Sequence, residues 1–190
     1  MIITCGIDIG FNSTAFHVLA GQKFTLTTLC AVEIKKLKIW DMGKKIGQII
    51  ELMSPDLFLL ESCGHGKIAS EWLQKEYPDL PLAIVDFSKQ PPPNCIPWNL
   101  PKMEQAANYR SLAYHLLSEL LRYGKLKLLR EDLKLTQELL SLSYTEDHKG
   151  RVFVKTNKDR TPKAQALALA CFAYSSIEQQ RKIEAEEVAA

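Results

Sequence analysis

The chain has little of what marks a disulfide or zinc scaffold. Its five cysteines, at 5, 30, 63, 95 and 171, are odd in number and scattered, with no CxxC or other metal-ligand spacing. That pattern points to reduced thiols in a cytoplasmic protein. No apolar run reaches about 18 residues, so no transmembrane helix is expected. No basic stretch precedes the first apolar run, so a signal peptide is not expected either. A Gly-x-x-x-x-Gly-Lys-Ser/Thr phosphate loop is missing, as is any internal repeat. Charge of one sign is scarce too: 24 basic against 22 acidic side chains leave a net charge of +2. Such a balance allows a local basic face without requiring a nucleic-acid partner. What remains is 190 residues, 46% hydrophobic and 24% charged, the composition of one globular domain.

The chain is organised around residues 2–10, Ile-Ile-Thr-Cys-Gly-Ile-Asp-Ile-Gly. This apolar, β-branched run, closed by the turn Phe11-Asn12-Ser13, reads as a buried strand. Asp8 lies inside it, where an unpartnered carboxylate is costly, so a metal, a cation or backbone amides should face it. Residues 14–19 and 25–32 read as two further strands, making an antiparallel meander. Asp41 can cap a helix with Met42, Ile46, Ile49, Ile50 and Met53 on one face. Leu57-Phe58-Leu59-Leu60-Glu61 repeats the first pattern, an apolar run closed by one acid. The flexible loop Ser62-Cys63-Gly64-His65-Gly66 and a helix to about residue 76 follow it, then a fifth strand over 82–87.

Residues 88–101, with Pro91-Pro92-Pro93, Pro97 and Trp98, cannot form a regular element. A leucine-rich helix follows, stopped by Gly124. After it come a short strand at 127–129, a helix over 131–140, a polar turn over 145–150 and a strand over 151–155. The last helix starts near Pro162. The expected boundaries are one domain over 1–178 and a charged helical tail over 179–190. The element order predicts an α/β fold, a five-stranded mixed sheet in order 3-2-1-4-5 flanked by helices.

In that sheet Asp8 and Glu61 end neighbouring parallel strands and converge at one edge. A divalent cation relieves their repulsion, and oxygen donors favour Mg²⁺ or Mn²⁺ over zinc. A pair of such ions supports phosphodiester cleavage.

The motifs resemble the nuclease domain of phage large terminases, within the RNase H-like superfamily that includes Holliday-junction resolvases. The resemblance rests on Gly6-Ile7-Asp8-Ile9-Gly10 and on Leu59-Leu60-Glu61 with its glycine-containing loop. It extends to Asn108-Tyr109-Arg110, Gly124-Lys125-Leu126, Glu138-Leu139-Leu140, Ser143-Tyr144 and Gly150-Arg151, and to the helix opening Thr161-Pro162-Lys163-Ala164-Gln165-Ala166. It spans about residues 2–175 and implies a metal-dependent DNA endonuclease using a two-metal Mg²⁺ or Mn²⁺ site, with phage or mobile-element partner proteins. The chain has no room for a packaging ATPase. The final helix carries Lys163 and Gln165 where the family has acids, so the third ligand is displaced or lost. A lysine there would compete with a metal. Asp159 is the nearest replacement, and Glu146 and Asp147 lie on the preceding turn. The implied catalytic and metal-holding set is therefore Asp8, Glu61 and Asp159.

Substrate-contact candidates are His65, between two glycines, and Arg151 and Lys155 on the late strand. Lys35, Lys36, Lys38, Lys44 and Lys45 form a basic stretch that could track phosphates, and Trp40 and Trp98 could stack on bases. Three readings stand side by side: a metal-dependent nuclease, a catalytically degenerate nucleic-acid-binding or assembly module, and a fragment of an actin-like ATPase. The last lacks the second Asp-x-Gly phosphate motif.

Overall fold

β1 (Ile2–Ile9) lies near the middle of a mixed sheet, hydrogen-bonded on one side to antiparallel β2 (Ser13–Gln22) and on the other to parallel β4 (Leu57–Glu61). The computed structural model describes residues 1–91, 106–129, 132–156 and 161–189. β3 (Thr25–Lys35) continues the meander beyond β2, and β5 (Leu82–Val85) extends the sheet beyond β4. The predicted order 3-2-1-4-5 is therefore present. The sheet has six strands rather than five, because the two-residue β6 (Leu126–Lys127) pairs parallel with β3 at Leu26 and Thr27. The short strand expected at 127–129 thus lies at 126–127, and it is held by its neighbour, as when Leu26 N–H donates to the Lys125 carbonyl.

Helices cover both faces. α1 (Ile39–Met53) and α2 (His65–Glu76) bury Met42, Ile46, Ala69 and Leu73 against Cys5, Ile7, Phe58 and Leu60. On the other face α5 (Pro162–Ala189) lies directly on β1 and β2, supported by α3 (Tyr109–Arg122) and the short α4 (Leu133–Leu140). Residues 166–174 of α5 are all buried, because its small side chains let the backbone sit close to the strands.

Gly6 shows how close. A Cβ built on it would lie 2.0 Å from the Ala166 carbonyl oxygen and 2.5 Å from the Ala170 nitrogen. The Thr4 hydroxyl, on the same face, donates to the Ala170 carbonyl at 2.9 Å. Thr4, Gly6 and Asp8 thus point one way, by the two-residue period of a strand, and seat the first turns of α5.

Three local readings are corrected. α1 begins at Ile39 after Lys38, with no side-chain cap, and Asp41 sits inside its first turn, where its charge still suits the helix dipole. The 62–66 segment is a tight turn rather than a flexible loop: α2 already starts at His65, Gly64 has φ +56°, and Gly66 N–H donates to the Cys63 carbonyl. Residues 142–146, partly assigned to a polar turn, form β7 (Leu142–Glu146), a hairpin with β8 (Val152–Thr156). No described helix is long and apolar enough to cross a membrane.

Candidate nuclease site

The last registered pair of β1 and β4 is Ile7 with Leu60. Asp8 and Glu61 come one residue later on each strand, so both side chains leave the same face, toward α5. Both are buried, at 2% and 6% exposure. Between them lies the Gln165 amide: its Nε2 donates to Asp8 Oδ1 at 2.9 Å and also to Glu61 Oε2. Because one nitrogen serves both, the two carboxylate oxygens lie within two hydrogen-bond lengths of each other, about 6 Å. The Arg110 guanidinium, 3.5 Å from Glu61 Oε1, approaches from the first turn of α3 and is set over the Phe87 ring.

These groups open into a cleft of about 340 Å³, also lined by Gly10, Phe11, Cys63, His65 and Thr161. Gly66 permits this shape, since a Cβ there would meet the Glu61 carbonyl oxygen at 1.9 Å. Burial, followed by the fields of Glu61 and Asp86, pushes the Cys63 thiol up to about 11, so it stays protonated near neutral pH. A larger groove of about 940 Å³, between β5 and the second half of α5, holds neither Asp8 nor Glu61.

Of the residues nominated from sequence, the structure brings Asp8, Glu61 and His65 to this cleft. Asp159 lies outside the described residues, as does Trp98. Arg151 and Lys155 are on the β7–β8 hairpin and do not line the cleft. Arg151 is bound to Asp147 at 2.8 Å. Asp147 in turn accepts from the backbone of Lys149 and Arg151, which holds its carboxyl down at about 2, led by the Arg151 backbone N–H. It is saturated by its own turn and makes a poor replacement ligand. Among the described residues no three His, Cys, Asp or Glu side chains cluster closely enough to hold a metal.

Lys163 does not intrude on the acids, contrary to expectation. Its ammonium makes two 2.8 Å bonds to the Asp132 carboxylate, which also caps α4 by accepting from Leu135 N–H. Two contributors were not singled out from sequence. Arg110 and Glu138 both fall within motifs that carry the resemblance, without a role of their own. Glu138 accepts from the Ala164 N–H at 2.8 Å and so caps the start of α5. An arginine two residues past a helix-capping Asn108 is the available signal for the first; nothing in Glu138-Leu139-Leu140 signals a contact with α5.

No protein-family model matches the chain, and no curated protein matches it. Solved structures do. The large terminase nuclease of thermophilic phage G20c superposes with a TM-score of 0.67 at 14% identity, covering 89% of this chain and 80% of that one. A G20c structure with bound magnesium gives 0.66 at 16% identity over 90% and 80%. A mutant nuclease domain of the large terminase subunit of bacterial virus Sf6, with manganese and β-thujaplicinol, gives 0.68 at 14% identity over 90% and 88%. The chain has the RNase H-like fold, with its elements arranged as in the nuclease domains of phage large terminases.

Proposed function

We propose that the chain is a divalent-metal-dependent nuclease that hydrolyses phosphodiester bonds in DNA, with Asp8 and Glu61 as its metal-holding acids. The observation that carries this reading is the meeting of two buried carboxylates, from adjacent parallel strands, at the open end of a cleft. The resemblance of the motifs and the magnesium and manganese in the comparison structures support it.

The donor set fits one hard ion. Mg²⁺ and Mn²⁺ sites commonly take one or two protein carboxylates and fill the remaining positions with water and substrate phosphate. Asp8 and Glu61 supply two such oxygens, and Gln165 supplies a neutral amide. A second ion would need further oxygens; Asp159 is the proposed source. When bound, a divalent ion supplies Lewis-acid stabilisation of the phosphoryl oxygen and a more acidic water.

The chain's own residues do the rest. The Gln165 amide donates to both acids and would have to release them for an ion to bind. Arg110, fixed over Phe87, offers a planar donor fork to a phosphate beside Glu61. His65 at the cleft rim and exposed Lys155 are proposed phosphate contacts; Arg151 has its charge taken up by Asp147. Phage or mobile-element proteins are the proposed partners.

A second reading has its own observation: Gln165 stands where an acid is expected, which fits a degenerate module that binds without cutting. A cleavage assay separates the two, using duplex, single-stranded and branched DNA in Mg²⁺, Mn²⁺ or EDTA. The nuclease reading expects metal-dependent cleavage that Asp8→Asn abolishes. Absence of cleavage on every substrate favours the module, and cleavage that survives Asp8→Asn places the chemistry elsewhere.

A further inference from the structure

The turn that follows Asp8 carries an aromatic ring into solvent. Phe11 is 76% exposed yet lines the cleft, and its ring rests on His65, with centroids 5.5 Å apart. This turn is tied to the end of β3: Ser13 pairs with Lys35, and Lys36 N–H donates to the Asn12 carbonyl at 2.9 Å. Lys35 and Lys36 therefore stand beside the cleft mouth, both exposed. Four residues beyond Lys36, and so no more than about 14 Å along the chain, lies Trp40. It is 61% exposed, with the Lys38 ammonium 5.5 Å from its ring.

Nearby acids do not cancel this stretch. Glu33 is bound by Lys134, and Asp41 is 3.7 Å from Lys44. Lys35, Lys36 and Lys38 have no acidic partner among the described residues. Two exposed rings interleaved with three such cations, starting at the cleft, are the chemistry of a strand-binding track: lysines meet phosphates, and rings meet base faces. A duplex offers no free base face inside its stack, so the rings select an unpaired strand.

We infer that the surface from Phe11 and His65 through Lys35, Lys36 and Lys38 to Trp40 binds a single-stranded polynucleotide and leads it to the Asp8–Glu61 cleft. The inference deepens the nuclease reading and rests on it only for where the strand is cut. Phosphates and base faces, the groups that lysines and rings meet, are common to deoxy- and ribo-oligomers.

The test is fluorescence anisotropy of labelled oligo(dT), oligo(U) and an equally long duplex, titrated with the full chain in EDTA so that no cutting occurs. Single strands should bind more tightly than the duplex, and the two oligomers show which polymer is preferred. Phe11→Ala and Trp40→Ala should each weaken single-strand binding by roughly tenfold, while Phe11→Tyr and Trp40→Phe, which keep a ring, should bind like wild type. Replacing Lys35, Lys36 and Lys38 together by Ala should flatten the log K against log salt slope by about 2. Both rings are exposed, so unchanged melting of the Ala variants checks that folding is intact. Duplex binding equal to single-strand binding, or Ala variants that bind like wild type, would overturn the track. Because binding is read without metal, a chain that binds single strands and never cuts defeats the nuclease reading alone. Asp8-dependent cutting with unaffected ring variants defeats the track alone.

Discussion

Gly6→Ala tests the contact on which the site depends. The new methyl carbon would start 2.0 Å from the Ala166 carbonyl oxygen, against 3.4 Å for ordinary van der Waals contact. Neither obstacle is a flexible side-chain end: the oxygen belongs to the backbone of buried α5, and the Ala170 nitrogen blocks the other side. Strand and helix must therefore part by about 1.4 Å, the difference of those two distances. Overpacking of this kind costs about 1–3 kcal/mol, and the rigidity of both partners places it near the upper end. For a chain of this length that lowers Tm by about 6–12 °C. Gly47→Ala is the control: its Cβ would meet nothing within 4 Å, and helix propensity predicts a gain of up to about 1 kcal/mol in α1. Differential scanning calorimetry of both variants beside wild type decides the matter. A Gly6→Ala protein melting within a degree of wild type would refute the close seating of α5 on β1.

Two other outcomes follow from buried polar groups. Burial lowers His17 to about 4, with Asp132 raising it and Lys163 lowering it further; its ring contacts the Thr28 hydroxyl at 3.0 Å. Since the unfolded imidazole titrates near 6.5, the unfolded state binds more protons between those values. Stability is then lost as pH falls from about 6.5 toward 4, by about 2 kcal/mol between pH 7 and 5. Urea unfolding should show that loss in wild type and not in His17→Gln; equal pH dependence in both would contradict it. Gln165→Glu adds a third charge to two facing carboxylates, which should lower the metal-free Tm and enlarge the rise produced by Mn²⁺. Thermal shift with and without MnCl₂ reads both, and an unchanged Tm in either condition would count against the bridging role of Gln165.

The sheet centre was legible because its signals are local and redundant. Residues 2–9 and 57–61 are continuous apolar runs, each interrupted by one acid, and the crossover rule makes such strands parallel neighbours. Gly6 stood out as a motif residue, though only the structure shows that it seats a helix. What escaped depends on tertiary contact. The short strand read at 127–129 joins the main sheet, as β6, because Leu26 and Thr27 pair with it. Lys163 and Asp132 lie 31 residues apart and meet only when α4 packs on α5. The family resemblance placed Lys163 near the acids, whereas the helix turns it away and leaves Gln165 facing them. The segment 62–66 was misread because its two glycines suggest freedom, when their use is a positive φ and a close approach to the Glu61 carbonyl.

The proposed nuclease chemistry requires Asp8 and Glu61 to hold a divalent ion together. Isothermal titration of the metal-free chain with MnCl₂ tests it most directly, run beside Asp8→Asn. Wild type should bind Mn²⁺, one ion if the described pair acts alone and two if Asp159 contributes. Asp8→Asn should lose that binding, and its metal-free Tm should be equal to or higher than wild type because one of two facing charges is gone. An absence of Mn²⁺ binding by wild type, or binding unaltered by Asp8→Asn, would contradict it.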